Sequence, residues 1–252
     1  MSGQIIALQP NLHALRDRCA NCSMHELCLP MGLDNDELQR LDGIIKKRRR
    51  VLKNDYLYRM GDKFQNLYAI RVGHFKTVHT DAAGTEQVTG FQMAGELLGF
   101  DAISSDQHQC NSIALEDSEV CEVPFDRLEE LFRDIPGLQR HFHRMMSQEI
   151  TREQSIMLLL GNMRAEQRLA AFLVNLSTRY SQRGYSAHAF QLRMTREEIG
   201  SYLGLTIESI SRLLSRFKKN GWLNVESKEI QINDLPKLKT LVTASAAESL
   251  SR

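Results

Sequence analysis

No run of about 18 apolar residues occurs anywhere in the 252-residue chain, so nothing in it reads as a membrane-spanning helix. Residues 1–18 also lack the basic start, apolar stretch and small-residue cleavage site of a secretory signal, and the expected compartment is the cytoplasm. An excess of charge of one sign is missing too. The 32 Lys and Arg face 31 Asp and Glu, a net charge of +1 that excludes a uniformly basic nucleic-acid coat but leaves room for a local basic surface. There is no phosphate loop, no metalloprotease pattern and no nucleophile beside a partnered base, so no enzyme site is expected. Cysteines number only five, and in a reducing compartment they do not form a disulfide framework.

The spacing of those cysteines is informative. Cys19, Cys22 and Cys28 form a C-x2-C-x5-C cluster in a segment with little periodicity, residues 1–30, and Cys121 lies far along the chain. Three close thiols and one distant thiol can wrap an iron–sulfur cubane or a tetrahedral zinc, and both readings stay open. Cys110 lies apart and reads as a small residue of a strand or turn. The run Lys46 to Arg50 reads as a solvated face.

Between Leu52 and Pro124, short strand-like runs punctuated by Gly73, Gly84, Gly95 and Gly99 predict an antiparallel β-roll over 31–137. Phe125 to Phe132 predicts a short helix broken by Pro136-Gly137. Residues 138–163 then predict a long helix in which Met146, Ile150, Met157 and Leu160 step by 4, 7 and 3, the spacing of a two-helix seam in a homodimer. Glu153 falls on the same seam, where it would approach its symmetry mate and weaken association.

Residues 164–240 carry a predicted winged helix-turn-helix, and residues 241–252 a flexible tail. Thr195 with Glu198 makes a capping box, Gly204 suits the sharp turn, and Thr206 caps a second helix whose Ile207, Ile210, Leu213, Leu214 and Phe217 face inward. Its other face shows Glu208, Ser211, Arg212, Ser215 and Lys219, a set able to read base edges: Arg212 can pair with guanine and Glu208 can accept from cytosine. From Arg193 to Lys219 six basic residues stand against three acidic ones, a local bias suited to double-stranded DNA. Thr206, Ser209, Arg196 and Lys219 complete the expected DNA-facing set.

Across nearly its whole length the chain resembles the fumarate and nitrate reduction regulators, the oxygen-sensing branch of the cyclic-AMP receptor protein superfamily. The resemblance is carried by C-x2-C-x5-C ending in Cys28-Leu29-Pro30, by Leu67–Arg71, Gly90–Ile103 and Cys121–Phe125, and by Leu203–Leu214. It implies an α+β chain of β-roll, dimerisation helix and winged helix-turn-helix. It further implies a [4Fe-4S] cluster on Cys19, Cys22, Cys28 and Cys121 that supports a homodimer bound to TTGAT-like half-sites through Glu208, Ser211 and Arg212. By the same resemblance, oxygen converts the cluster to a two-iron form and releases monomers, and the dimer contacts RNA polymerase. One departure concerns the nucleotide pocket. The stretch from Asp106 to Ile113 lacks the arginine that holds a cyclic phosphate, so no cyclic nucleotide is expected. The other readings are a zinc-stabilised regulator and an iron–sulfur electron carrier, the latter leaving the helix-turn-helix unexplained.

Overall fold

The computed structural model describes residues 19–45 and 47–249, so the expectations for residues 1–18 and 250–252 lie outside it. The cysteine segment opens with two single-turn 3-10 helices, Cys19–Asn21 and His25–Leu27, and leads into α1 (Asn35–Ile44). Asp34 starts α1 with a reciprocal capping box, its carboxylate accepting from the Glu37 amide while Glu37 accepts from the Asp34 amide.

Eight strands follow: β1 (Lys47–Val51), β2 (Tyr56–Tyr58), β3 (Asn66–Val72), β4 (His74–Thr80), β5 (Glu86–Met93), β6 (Leu97–Leu98), β7 (Asn111–Ala114) and β8 (Ser118–Pro124). They form two antiparallel four-stranded sheets, ordered β1-β8-β3-β6 and β2-β7-β4-β5. Inward residues of both sheets, among them Ile70, Phe75 and Val120, fill the space between them. This is the predicted β-roll.

Two helices leave the roll, α2 (Phe125–Asp134) and α3 (Pro136–Asn162). The expected break at Pro136-Gly137 is narrower than predicted, because α3 begins on Pro136 itself. A proline at the first helical position lacks only an N–H that would have no partner there, so the interruption shrinks to Ile135. Leu128, Leu131, Leu138 and Phe142 bury the inner faces of α2 and α3 against Leu67 and Val123.

The C-terminal part comprises α4 (Ala165–Gln182), β9 (Ala189–Gln191), α5 (Arg196–Leu203), α6 (Ile207–Lys219), β10 (Leu223–Glu226), β11 (Glu229–Ile232) and α7 (Leu235–Ser249). The three strands make a small sheet ordered β10-β11-β9 beside α5 and α6, a winged helix-turn-helix. The predicted flexible tail from 241 is corrected: α7 crosses that boundary and ends at Ser249. Leu241 and Val242 pack on the C-terminal core, and the Ala-rich residues after them favour helix.

The roll and the C-terminal part share a core. Phe91 of β5 meets Tyr202 of α5 at 5.0 Å and Phe172 of α4 at 6.0 Å between ring centres. Around that contact, Glu96 accepts from Arg179 (2.6 Å) and Arg183 (2.7 Å) of the α4 end, with Arg152 of α3 at 3.7 Å. Burial alone would raise the Glu96 carboxyl, but the three guanidiniums overcome it and hold it at about 2. Lys76 of β4 pairs with Glu198 of α5 at 2.7 Å.

Candidate functional site

Two surfaces carry the predicted chemistry. The first is built locally. Thr195 accepts from the Glu198 amide at 3.1 Å and starts α5, Gly204 ends it at φ +61°, and Thr206 accepts from the Ser209 amide at 3.2 Å to start α6. Ile210, Leu213, Leu214 and Phe217 are buried as expected. Ile207 is corrected: it is 45% exposed, because it sits in the first turn of α6, beyond the reach of the α5 contact.

Glu208, Arg212, Ser215 and Lys219 line the open face of α6, with Ser209 and Ser211 half-buried beside them. Arg196 donates to Ser211 Oγ at 3.1 Å, and Arg212 reaches Ser209 Oγ at 3.4 Å, so both guanidiniums are held over this face. The backbone amide at the helix start and the Thr206 hydroxyl hold the Glu208 carboxyl below its usual range, with Arg212 adding to the effect. Arg216 is turned away from that face to pair with Glu166 of α4 at 2.6 Å.

Two residues of this unit escaped the sequence reading. A Cβ on Gly200 would stand 2.6 Å from the Leu205 carbonyl, so the crossing of the two helices requires glycine there as well as at Gly204. Arg168 donates to the carbonyls of Leu160 (2.6 Å), Met163 (2.9 Å) and Leu203 (3.1 Å), tying the end of α3 to the end of α5. A glycine inside a helical pattern and an arginine at a helix start were the only available signals.

The second surface is assembled from remote segments. Cys19, Cys22, Cys28 and Cys121 line one cavity of about 30 Å³ with apolar walls that include Met24, Leu29, Leu41 and Val123. Cys110 is elsewhere, with its thiol 3.5 Å from Asp101. Three contacts hold the cysteine loop. The Cys19 amide donates to Asp42 of α1 at 2.9 Å, His141 Nε2 of α3 meets the Cys28 carbonyl at 3.1 Å, and Leu27 packs where Gly95, at φ +89°, leaves no Cβ in the way. The sequence reading gave His141 no role. Burial lowers its pKa and the Cys28 carbonyl partly offsets that; because its partner is a carbonyl oxygen, Nε2 is the donor of this bond.

Burial pushes all three shifted thiols of this cavity upward: Cys28 to about 12, Cys19 further with help from Asp42, and Cys121 less because Arg48 offsets it. They are thiols, and a metal would displace their protons. Among the described residues no three His, Cys, Asp or Glu side chains already stand in metal-holding geometry. The donor set, four thiols on one apolar-walled cavity, fits a thiolate-bound metal group, and the loop must close around it to complete the ligation.

The predicted seam on α3 divides. Ile150 is 54% and Met157 71% exposed, and Leu158, which the spacing did not select, is 63% exposed. Met146 and Leu160 are partly buried in their own chain's cores at the two ends of that stripe. Glu153 lies at the stripe's edge near Glu149; burial and the Glu149 charge raise its carboxyl, and Arg152 only partly offsets them. No helix among the described residues is long and apolar enough to cross a membrane.

A β-roll of this topology, joined by a long helix to a winged helix-turn-helix with a basic reading face, defines a DNA-binding transcription regulator rather than an enzyme. Comparison with known proteins narrows the class. Residues 48–134 match the cyclic nucleotide-binding domain and residues 167–241 the Crp-like helix-turn-helix domain. An anaerobic regulatory protein of Pasteurella multocida is 50% identical over 217 residues, covering 86% of this chain and 80% of its own. The fumarate and nitrate reduction regulatory protein of Salmonella typhimurium is 48% identical over 223 residues, 88% of this chain and 89% of its own. Among solved structures, FixK2 from Bradyrhizobium japonicum superposes with a TM-score of 0.71 at 26% identity, covering 77% of this chain and 96% of that one. The chain belongs to the fumarate and nitrate reduction regulator family of the cyclic-AMP receptor protein superfamily.

Proposed function

We propose that this chain is an oxygen-responsive regulator of anaerobic transcription acting in the cytoplasm. Cys19, Cys22, Cys28 and Cys121 hold one [4Fe-4S] cluster per subunit. When bound, the cluster supplies iron–sulfur bonds that keep the cysteine loop closed and that oxygen can break. The closed loop supports a homodimer whose interface comprises Ile150, Met157 and the flanking Met146 and Leu160, with Glu153 on the same interface opposing association. The dimer binds TTGAT-like half-sites in double-stranded DNA through Glu208, Ser211 and Arg212, aided by Arg196, Thr206, Ser209 and Lys219, and contacts RNA polymerase. Oxygen opens the loop and returns inactive monomers.

The observation that carries the reading is the meeting of three loop thiols and one strand thiol at one cavity, with the carbonyl of the third loop cysteine bonded to α3. His141 gives that meeting a physical route outward, since the carbonyl it holds belongs to the third cysteine and its own helix bears the exposed apolar stripe. The relatives' names, anaerobic regulatory protein and fumarate and nitrate reduction regulatory protein, agree with this assignment. Protein purified without oxygen tests it. A broad visible absorption band, with iron and sulfide in the sample, is expected. A colourless protein holding one zinc, an outcome compatible with the small cavity, would reject the cluster.

A further inference from the structure

Ile207 stands where its chemistry does not belong. Among the described residues from Thr195 to Lys219 it is the only large apolar side chain left exposed, at 45%. Folding gives no reason for it. The core side of α6 is already filled by Ile210, Leu213, Leu214 and Phe217. The apolar pair that commonly staples a helix start, one residue before the cap and four after it, is Leu205 and Ile210, and both belong to the core. The first turn of a helix favours acidic groups, and a β-branched side chain lowers helix propensity, so the stability of α6 does not call for isoleucine there either.

Helix geometry relates Ile207 to the reading face. Side chains four apart stand on one side of a helix, so Ile207 and Ser211 form one column, and Glu208 and Arg212 form the column beside it. A helix-turn-helix presents the N-terminal end of its second helix to the base edges, and Ile207 is the first residue of that helix. Its side chain can neither pair with a phosphate nor hydrogen-bond a base. The apolar group that base pairs display in the major groove is the 5-methyl of thymine.

We propose that Ile207 packs against the 5-methyl group of a thymine and so adds an apolar contact to the polar readout by Glu208, Ser211 and Arg212, an inference that rests on the TTGAT-like half-site.

Fluorescence anisotropy of the full chain, purified without oxygen, tests this on duplexes in which uracil replaces each thymine of the half-site, on either strand, one at a time. Uracil keeps every hydrogen-bonding group of thymine and lacks only the methyl. At one thymine the replacement should weaken binding about fourfold, the equivalent of ~0.8 kcal/mol for one buried apolar carbon. Ile207→Ala should bind the thymine duplex more weakly and should no longer distinguish it from the uracil duplex, whereas Ile207→Val should keep most of the preference. Lys219→Ala, which lowers affinity for any DNA, should keep it in full. Should Ile207→Ala fail to fold, Ile207→Ser gives the same reading. Site-selective binding that no uracil weakens, or a methyl preference undiminished in the Ala or Ser variant, would overturn the contact and leave the half-site reading standing. Binding no tighter to the half-site than to random DNA would overturn both.

Discussion

The helix-turn-helix and the cysteine cavity are built on opposite principles. In the first, every capping hydroxyl, turn glycine and outward side chain falls within the stretch from Thr195 to Lys219, and local hydrogen bonds set the geometry. In the second, Cys28 and Cys121 stand on different elements, and Asp42, Gly95 and His141, from three more places, hold the loop beside the strand. A locally coded unit keeps its shape when one distant contact is lost. A site gathered from remote segments depends on all of them together, which suits a sensor that has to come apart.

The largest effect should come from breaking the gathered site. Cys121→Ser should abolish metal-group retention and anaerobic DNA binding altogether, while Cys110→Ser stays close to neutral; iron analysis and gel-shift assays without oxygen measure both. Full retention in Cys121→Ser would place the fourth ligand elsewhere.

In the local unit the losses should be graded. Arg212→Ala should cost ~1–3 kcal/mol at a TTGAT-like site and little on random DNA, because its guanidinium reads a base edge. Lys219→Ala should weaken both and lower the salt dependence. Equal losses for Arg212→Ala on the two DNAs would reject its role as a base reader.

Thr206→Ala removes one helix cap and should lower stability by about 1 kcal/mol, read as a shift in the thermal midpoint, with the cysteine cavity untouched. Loss of metal-group binding in that variant would show that the two regions are not separable.

The seam tests what joins the regions. Glu153→Ala removes a carboxylate at the edge of the Ile150–Met157 stripe and should raise the dimer fraction of protein purified in air, as sedimentation would measure. A variant as monomeric as the unaltered chain would remove the charge from the account of dimer control.

The smallest effect is one of pH at Glu96, between roll and α4. Its carboxyl is held at about 2 against an ordinary 4.5, so the arginine contacts stabilise the fold fully above pH 4.5 and that contribution fades as pH falls toward 2. The stability difference between the unaltered chain and Glu96→Gln should therefore shrink over that window in acid denaturation. A difference independent of pH would mean that Glu96 acts by packing alone.

The roll, the capped helix pair and the ligand-like cysteine spacing were legible along the chain, because periodicity, turn glycines and capping boxes act over a few residues and leave their mark in order. The sequence also separated Cys110 from the other four cysteines. The reach of α7 past residue 240 was hidden, since the packing of Leu241 and Val242 on a core far away in sequence carries that helix onward. So were Arg168, Glu96 and His141, whose farthest partners lie 35, 87 and 113 residues away and are chosen by how sheets and helices stack. Tertiary structure alone decided that Met146 and Leu160 turn inward while Leu158 turns out, because a helix buries whichever face its neighbours cover, and heptad spacing cannot name those neighbours.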